Sequence, residues 1–65
     1  MLDYVSVFKT QKSEFEVNIW YGKNKHYNIS NFETLNEAFI LGRTLSDKLN
    51  LDLLDATEKG NSKWL

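Results

Sequence analysis

The chain has 65 residues, with 8 Lys and Arg against 9 Asp and Glu, one His, and neither Cys nor Pro. A domain this short buries only about 60% of its unfolded surface, and without Cys it has no disulfide or thiolate metal site to hold it; one His cannot make a zinc site without several carboxylate partners. A net charge of −1 gives no basic patch of the kind nucleic-acid modules carry, and no apolar run approaches the roughly 20 residues that cross a bilayer.

What remains to stabilise the fold is an aromatic and leucine core, or self-association. Four Phe, three Tyr and two Trp are a heavy load for this length, and each aromatic buries a large area. The charge is unevenly divided. Residues 1–31 hold Lys9, Lys12, Lys23 and Lys25 against Asp3, Glu14 and Glu16, which is 4 − 3 = +1. Residues 32–65 hold four basic and six acidic side chains, which is 4 − 6 = −2. Met1-Leu2-Asp3-Tyr4 has no basic region leading into an apolar core, so no signal peptide is expected. A cytoplasmic location is the simplest expectation for a chain without Cys.

The first strand is expected to start near Asp3 and run through Val5-Ser6-Val7-Phe8-Lys9. Its parity is open: either Val5 and Val7 face the core and Tyr4, Ser6 and Phe8 face away, or the reverse. Gln11-Lys12-Ser13-Glu14 is a polar break. Phe15–Tyr21 is the clearest strand, with Phe15, Val17, Ile19 and Tyr21 on one face and Glu16, Asn18 and Trp20 on the other. Gly22-Lys23-Asn24-Lys25 reads as a hairpin turn, since Gly and Asn tolerate positive φ. His26–Ser30 follows as a third strand with Tyr27 and Ile29 inward. Three strands joined by short polar breaks form an antiparallel meander.

At residues 31–39 the hydrophobic period changes from two to between three and four, the change from strand to helix. Thr34 and Glu37 form a capping box, in which the Thr hydroxyl accepts from the N3 amide and the Glu side chain returns to the Thr amide. The helix is expected over Leu35 to about Leu49. Leu35, Ala38, Phe39, Gly42, Leu45 and Leu49 make its core stripe, with Leu41 at the edge. A mid-helix Gly costs about 0.8–1.0 kcal/mol relative to Ala, so Gly42 implies that the helix lies close on the sheet. Asn50 suits the left-handed residue that ends a helix. Leu51–Ala56 reads as a fourth strand and Glu58–Asn61 as a second turn. Ser62–Leu65 is either a short extra strand or a tail folded onto the domain, because a Trp-Leu end is expected to dock.

The fold class that follows is α+β: a three- to four-stranded, mainly antiparallel sheet in the order β-β-β-α-β, with one amphipathic helix across one face. The expected core is Phe15, Val17, Ile19, Tyr27, Ile29, Leu35, Ala38, Phe39, Leu45, Leu49 and Leu53. The other sheet face has no helix to cover it, and it collects Glu14, Glu16, Asn18, Trp20, His26, Asn28 and Ser30. If the valines of the first strand point inward, Tyr4 and Phe8 join Trp20 there. Aromatics on an open sheet can stack bases or anchor a protein partner. The candidate partner-binding residues are therefore Tyr4, Phe8, Trp20, Lys23, Lys25 and His26.

Catalytic and metal sites are not legible. His26 with Glu14 or Glu16 could form an acid–base pair, but His26 beside a Lys-rich turn reads better as a solvated histidine. Asp52-x-x-Asp55-x-x-Glu58 has the wrong spacing for a calcium loop, and Gly22, Gly42 and Gly60 are too scattered for a phosphate loop. No cofactor is expected, and the chain is not expected to be an enzyme.

Ser30-Asn31-Phe32-Glu33-Thr34-Leu35-Asn36-Glu37-Ala38-Phe39 resembles several small bacterial domains in which a β-meander enters a helix through a Phe-x-Thr-x-x-Glu-Ala step. One is a family of uncharacterised short proteins with β-β-β-α-β order, to which the resemblance extends through Leu49 to Ala56. Others are the HicB-type antitoxin domain, a partial RNase-H-like fold, and the small DNA-binding domain at the N-terminus of phage integrases. The integrase resemblance implies a basic sheet, whereas this chain has Glu14, Glu16 and Asn18 at the corresponding places. The HicB-type resemblance implies a C-terminal DNA-binding extension that these 65 residues do not contain. None of the three carries a functional residue over. The expected function is a non-enzymatic binding module acting through protein contact or as a homodimer. The alternative is weak nucleic-acid binding, with Lys9, Lys12, Lys23 and Lys25 on phosphates and Trp20 or Phe8 stacking a base.

Overall fold

The computed structural model describes residues 1–65 and has the α+β class expected from the periodicities. Its elements are β1 (Leu2–Lys9), β2 (Phe15–Tyr21), β3 (Lys25–Phe32), α1 (Leu35–Leu49), β4 (Asp52–Ala56) and β5 (Lys63–Trp64). They make one five-stranded sheet in the order β3-β2-β1-β4-β5. The β1–β2, β2–β3 and β4–β5 pairs are antiparallel, and β4 runs parallel to β1. The helix is the crossover that makes this parallel pair reachable, since it carries the chain back over β2 and β1. The last residues are docked as a short strand, and the Leu65 amide donates to the Leu53 carbonyl at 2.9 Å.

The helix starts and stops where its caps dictate. The Glu37 amide donates to the Thr34 hydroxyl at 3.3 Å, and that hydroxyl donates to the Glu37 carboxylate at 2.7 Å. The Glu37 side chain thus returns to the Thr hydroxyl, where the sequence suggested the Thr amide. At the other end Asn50 takes the left-handed conformation, with φ 55° and ψ 47°.

The innermost line of α1 is Ala38, Gly42 and Ser46, three small buried residues four apart. Residues at this spacing stack on one face, and their size lets the helix come close to the sheet. A Cβ at Gly42 would lie 3.1 Å from Val7 Cγ2 and 3.2 Å from Leu53 Cδ1. This fixes the parity of β1: Val5 and Val7 face the helix. With Val17, Ala38 and Leu53 they are the fully buried apolar core, and Phe15, Ile19, Phe32, Phe39, Leu41, Leu45 and Leu51 pack around it.

Four expected core residues lie outside it. Tyr27 is 62% and Ile29 44% exposed, and Leu35 and Leu49 are also exposed. Two physical reasons account for them. The helix spans about 22 Å, and Leu35 and Leu49 sit at its two ends, beyond the sheet residues it covers. At β3 a bulge intervenes: Val17 pairs with Ser30 but Asn18 pairs with Asn28, leaving Ile29 as the extra residue. The bulge shifts parity along the rest of β3. Ser30, expected on the uncovered face, lies instead opposite Val17 on the helix side, and Asn31 takes the open side opposite Glu16. Glu14 precedes β2 and belongs to neither face. Tyr27 does point to the helix side, opposite Ile19, but stacks there on Tyr21 with ring centroids 4.9 Å apart. That neighbour holds the Tyr21 hydroxyl above its ordinary pKa of 10.0, chiefly by hydrogen bonding, then by desolvation and by repulsion from a charged Tyr27.

Candidate functional site: the open sheet face

The face opposite the helix is built in rows, because residues in register on neighbouring strands stand side by side. One row is aromatic. Trp20 of β2 is in register with Tyr4 of β1 on one side and His26 of β3 on the other. Tyr4 and Trp20 stack at 5.6 Å and 14°, and Trp20 and His26 meet at 4.5 Å and 34°. From β5, Trp64 reaches over β4 and meets Tyr4 edge-on at 5.1 Å. Such pairs add roughly 0.5–1.5 kcal/mol beyond their buried area. Four rings from four strands thus form one continuous stripe.

The next row, Ser6, Asn18 and Asn28, is polar. Ser6 and Asn18 are buried although they lie on the face opposite the helix; Trp20 and Leu54 stand beside Ser6. Each has its partners. The Trp20 indole N–H donates to Ser6 Oγ at 2.8 Å. Asn28 Nδ2 donates to Asn18 Oδ1 at 3.0 Å and to Asn31 Oδ1 at 2.8 Å, and Asn18 Nδ2 donates to Glu16 Oε1 at 3.3 Å. No buried polar side-chain atom lacks a partner. A satisfied network of this kind fixes side-chain geometry, so the aromatic stripe stands on a rigid floor.

The third row holds Glu16 and Phe8, which are in register. Phe8 is 46% exposed. It lies at the edge of a broad open concavity at the end of the sheet, between the β1–β2 and β4–β5 connections, where Lys12, Lys59, Glu14 and Glu58 also line the wall. Charges of both signs alternate there, so the concavity has no net preference for an anion.

The structure therefore brings Tyr4, Trp20 and His26 together and adds Trp64, which the sequence alone places in either a strand or a tail. His26 is an exposed residue of β3 whose ring packs on Trp20. Glu16 does not pair with His26: Glu16 lies four residues before Trp20 on β2, about 13 Å away along the strand. Phe8 lies two rows from the stripe. Lys23 lies within the β2–β3 turn, where Gly22, Lys23 and Asn24 all have positive φ, and its amide donates to Asp3 Oδ2 at 3.3 Å; Lys25 is the first residue of β3. Lys9 and Lys12 are at the opposite end of the sheet. Asp55 spends its carboxylate on the Thr57 amide and hydroxyl, at 3.0 and 2.7 Å. No group of three or more His, Cys, Asp or Glu side chains is placed to share a metal ion, and no helix is long and apolar enough to cross a membrane. Comparison with protein-family models, curated proteins and solved structures finds no match to this chain.

Proposed function

We propose that the chain is a non-enzymatic binding module that works through protein contact, with the open sheet face as its contact surface. The observation that carries this is the pre-assembled stripe of His26, Trp20, Tyr4 and Trp64, with Trp64 60% exposed. Trp and Tyr are the side chains that most often dominate protein interfaces. Here they are already locked by stacking and by the Ser6 hydrogen bond, so little side-chain entropy is lost on binding. A near-neutral charge suits a protein partner, and a cytoplasmic setting belongs to the same proposal.

Phe8→Ser and Trp64→Ser test it. Both side chains are exposed, so each change should move the unfolding free energy little, by about 0.5 kcal/mol for an ordinary surface site and somewhat more where Trp64 leaves Tyr4. Cross-linking of the wild-type chain in cell extract is expected to give discrete adducts that the double variant fails to give. Identical adduct patterns from the two chains would sink the open-face reading.

The alternative is weak nucleic-acid binding over the same face. Exposed Phe8 and His26 and the four lysines of the first half support it. The geometry of Trp20 weighs against it, because Tyr4 and His26 already take its two sides. The lysines weigh against it too, since they are split between opposite ends of the sheet. Titration of labelled single-stranded and duplex oligonucleotides at low salt, followed by Trp fluorescence, is expected to give no saturable change. If a change occurs and Lys23→Glu with Lys25→Glu removes it at an unaltered melting midpoint, the protein-contact reading gives way to this one.

A further inference from the structure

We propose that two copies of this chain pair antiparallel through the free edge of β3, about a two-fold axis, to make one continuous sheet of two five-stranded halves. This names a partner for a binding module but does not rest on the open face, and the two can fail separately.

The sheet ends in two unequal edges. At one end β5 is only two residues long, a short edge of the kind that discourages pairing. At the other, β3 extends over eight residues, about 27 Å, and no further strand of the chain lies beyond it. Edge strands are normally protected by Pro, by charges along their length, by a bulge or by a covering element, and of these β3 has only the bulge at Ile29. The chain has no Pro. From His26 to Phe32 there is no formally charged residue, and α1 lies chiefly over β1 and β2. Tyr27 and Ile29, which the hydrophobic pattern places in a core, stand exposed on this edge.

The ends of the strand supply the specificity. β3 opens on Lys25 and is followed directly by Glu33, and both side chains are exposed. Two such strands running antiparallel about an axis between Ile29 and Ser30 bring Lys25 of each copy within one residue of Glu33 of the other, so each of the two ends holds one pair of exposed, opposite charges. A centre at the bulge also respects the faces. The bulge switches parity, leaving Tyr27, Ser30 and Phe32 on the helix side and His26, Asn28 and Asn31 on the open side. Pairing about an axis between Ile29 and Ser30 therefore sets Tyr27 against Phe32 on the helix side and Asn28 against Asn31 on the open side. A two-fold axis normal to the sheet then puts both helices on one side and both aromatic stripes on the other.

The test is a charge swap read by sedimentation from micromolar to about millimolar concentration. The wild-type mass is expected to rise from 7.6 kDa towards twice that value. Lys25→Glu and Glu33→Lys should each weaken the dimer by about two- to thirtyfold, the range for two exposed pairs. Ile29→Lys should weaken it at least about tenfold, because two like charges then meet near the axis. The double swap, Lys25→Glu with Glu33→Lys, should restore it. Within one chain these side chains stand at opposite ends of β3, too far apart to compensate each other, so restoration can only arise between copies. Melting midpoints at dilution should match throughout. A 7.6 kDa species at every concentration overturns the proposal. So does a dimer that ignores all three β3 changes but is lost in Phe8→Ser, which would leave the open-face reading standing. Single changes that weaken the dimer without rescue by the swap overturn the antiparallel geometry.

Discussion

Gly42→Leu is expected to lower the unfolding free energy by about 1–3 kcal/mol or more, the cost of forcing extra methylenes into a packed core. The added Cβ alone would press on Val7 and Leu53 at 3.1 and 3.2 Å. Both neighbours are fully buried, so neither can swing into solvent to make room. Relief requires the helix to lift off the sheet, which would also loosen Ala38 and Ser46. A chain of this length has a total stability of about 3–10 kcal/mol, so the loss is a large fraction of it. Gly42→Ala is the calibrating variant. It recovers the 0.8–1.0 kcal/mol or so of helix propensity while meeting the same two neighbours, so its midpoint should move much less than that of the Leu variant. Urea unfolding followed by Trp fluorescence checks both. An unchanged midpoint for Gly42→Leu would mean that the helix does not rest on the sheet at this residue.

The close approach at Gly42 was legible because local physics forces it: a helix keeps an unfavourable residue in its apolar stripe only where something lies close. The Thr34 cap, the Asn50 stop and the alternation in Phe15–Tyr21 were legible for the same reason, as each is decided by residues within one turn or one strand. The parity of β1 was not, because Tyr4-Val5-Ser6-Val7-Phe8 is apolar on both sides. Val5 and Val7 are inward because β2 and β4 place Ile19, Val17 and Leu53 beside them, and those are distant in sequence. The parallel β1–β4 pair was hidden likewise. The bulge at Ile29 is one inserted residue, and period-two counting carries its error to everything downstream, which is why Ser30 lies on the helix side and not on the open face.

The candidate site followed the same divide. Trp20 and His26 were placed on one face from strand parity alone. That their rings touch, and that Tyr4 stacks on the far side of Trp20, depends on the β1–β2 and β2–β3 registers. Trp64 carried one signal, an apolar pair at the end of a polar stretch, and that indicated docking without indicating where. The small line Ala38, Gly42 and Ser46 shows how the stripe was misjudged. Ser46 falls outside a stripe drawn from apolar residues, yet its hydroxyl donates to the Arg43 carbonyl at 3.0 Å, so it can be buried under the helix at little cost.

Leu53→Ala is expected to be the most damaging single truncation, at about 2–5 kcal/mol. Leu53 is 1% exposed, lies against the helix at Gly42 and is in register with Val5. Removing its side chain opens a cavity bounded by helix, β1 and β4, and the two strands cannot close on it without giving up main-chain pairing. Leu54 provides the contrast. It is next in sequence but on the open side, in register with Ser6 and Trp64, and only partly buried, so Leu54→Ala should cost clearly less. If the two cost the same, the assignment of faces to β4 is wrong. The stronger check is a double-mutant cycle. If Gly42 and Leu53 truly oppose each other, the leucine added at 42 can enter the space vacated at 53. Gly42→Leu with Leu53→Ala should then be less destabilised than the sum of the singles by about 1–3 kcal/mol, the range for side chains that share one space. Should either single variant be too unstable to measure, sucrose raises the stability of all four chains alike and leaves the coupling readable. Simple additivity would separate the two residues, and with them the packing of α1 on the β1–β4 pair.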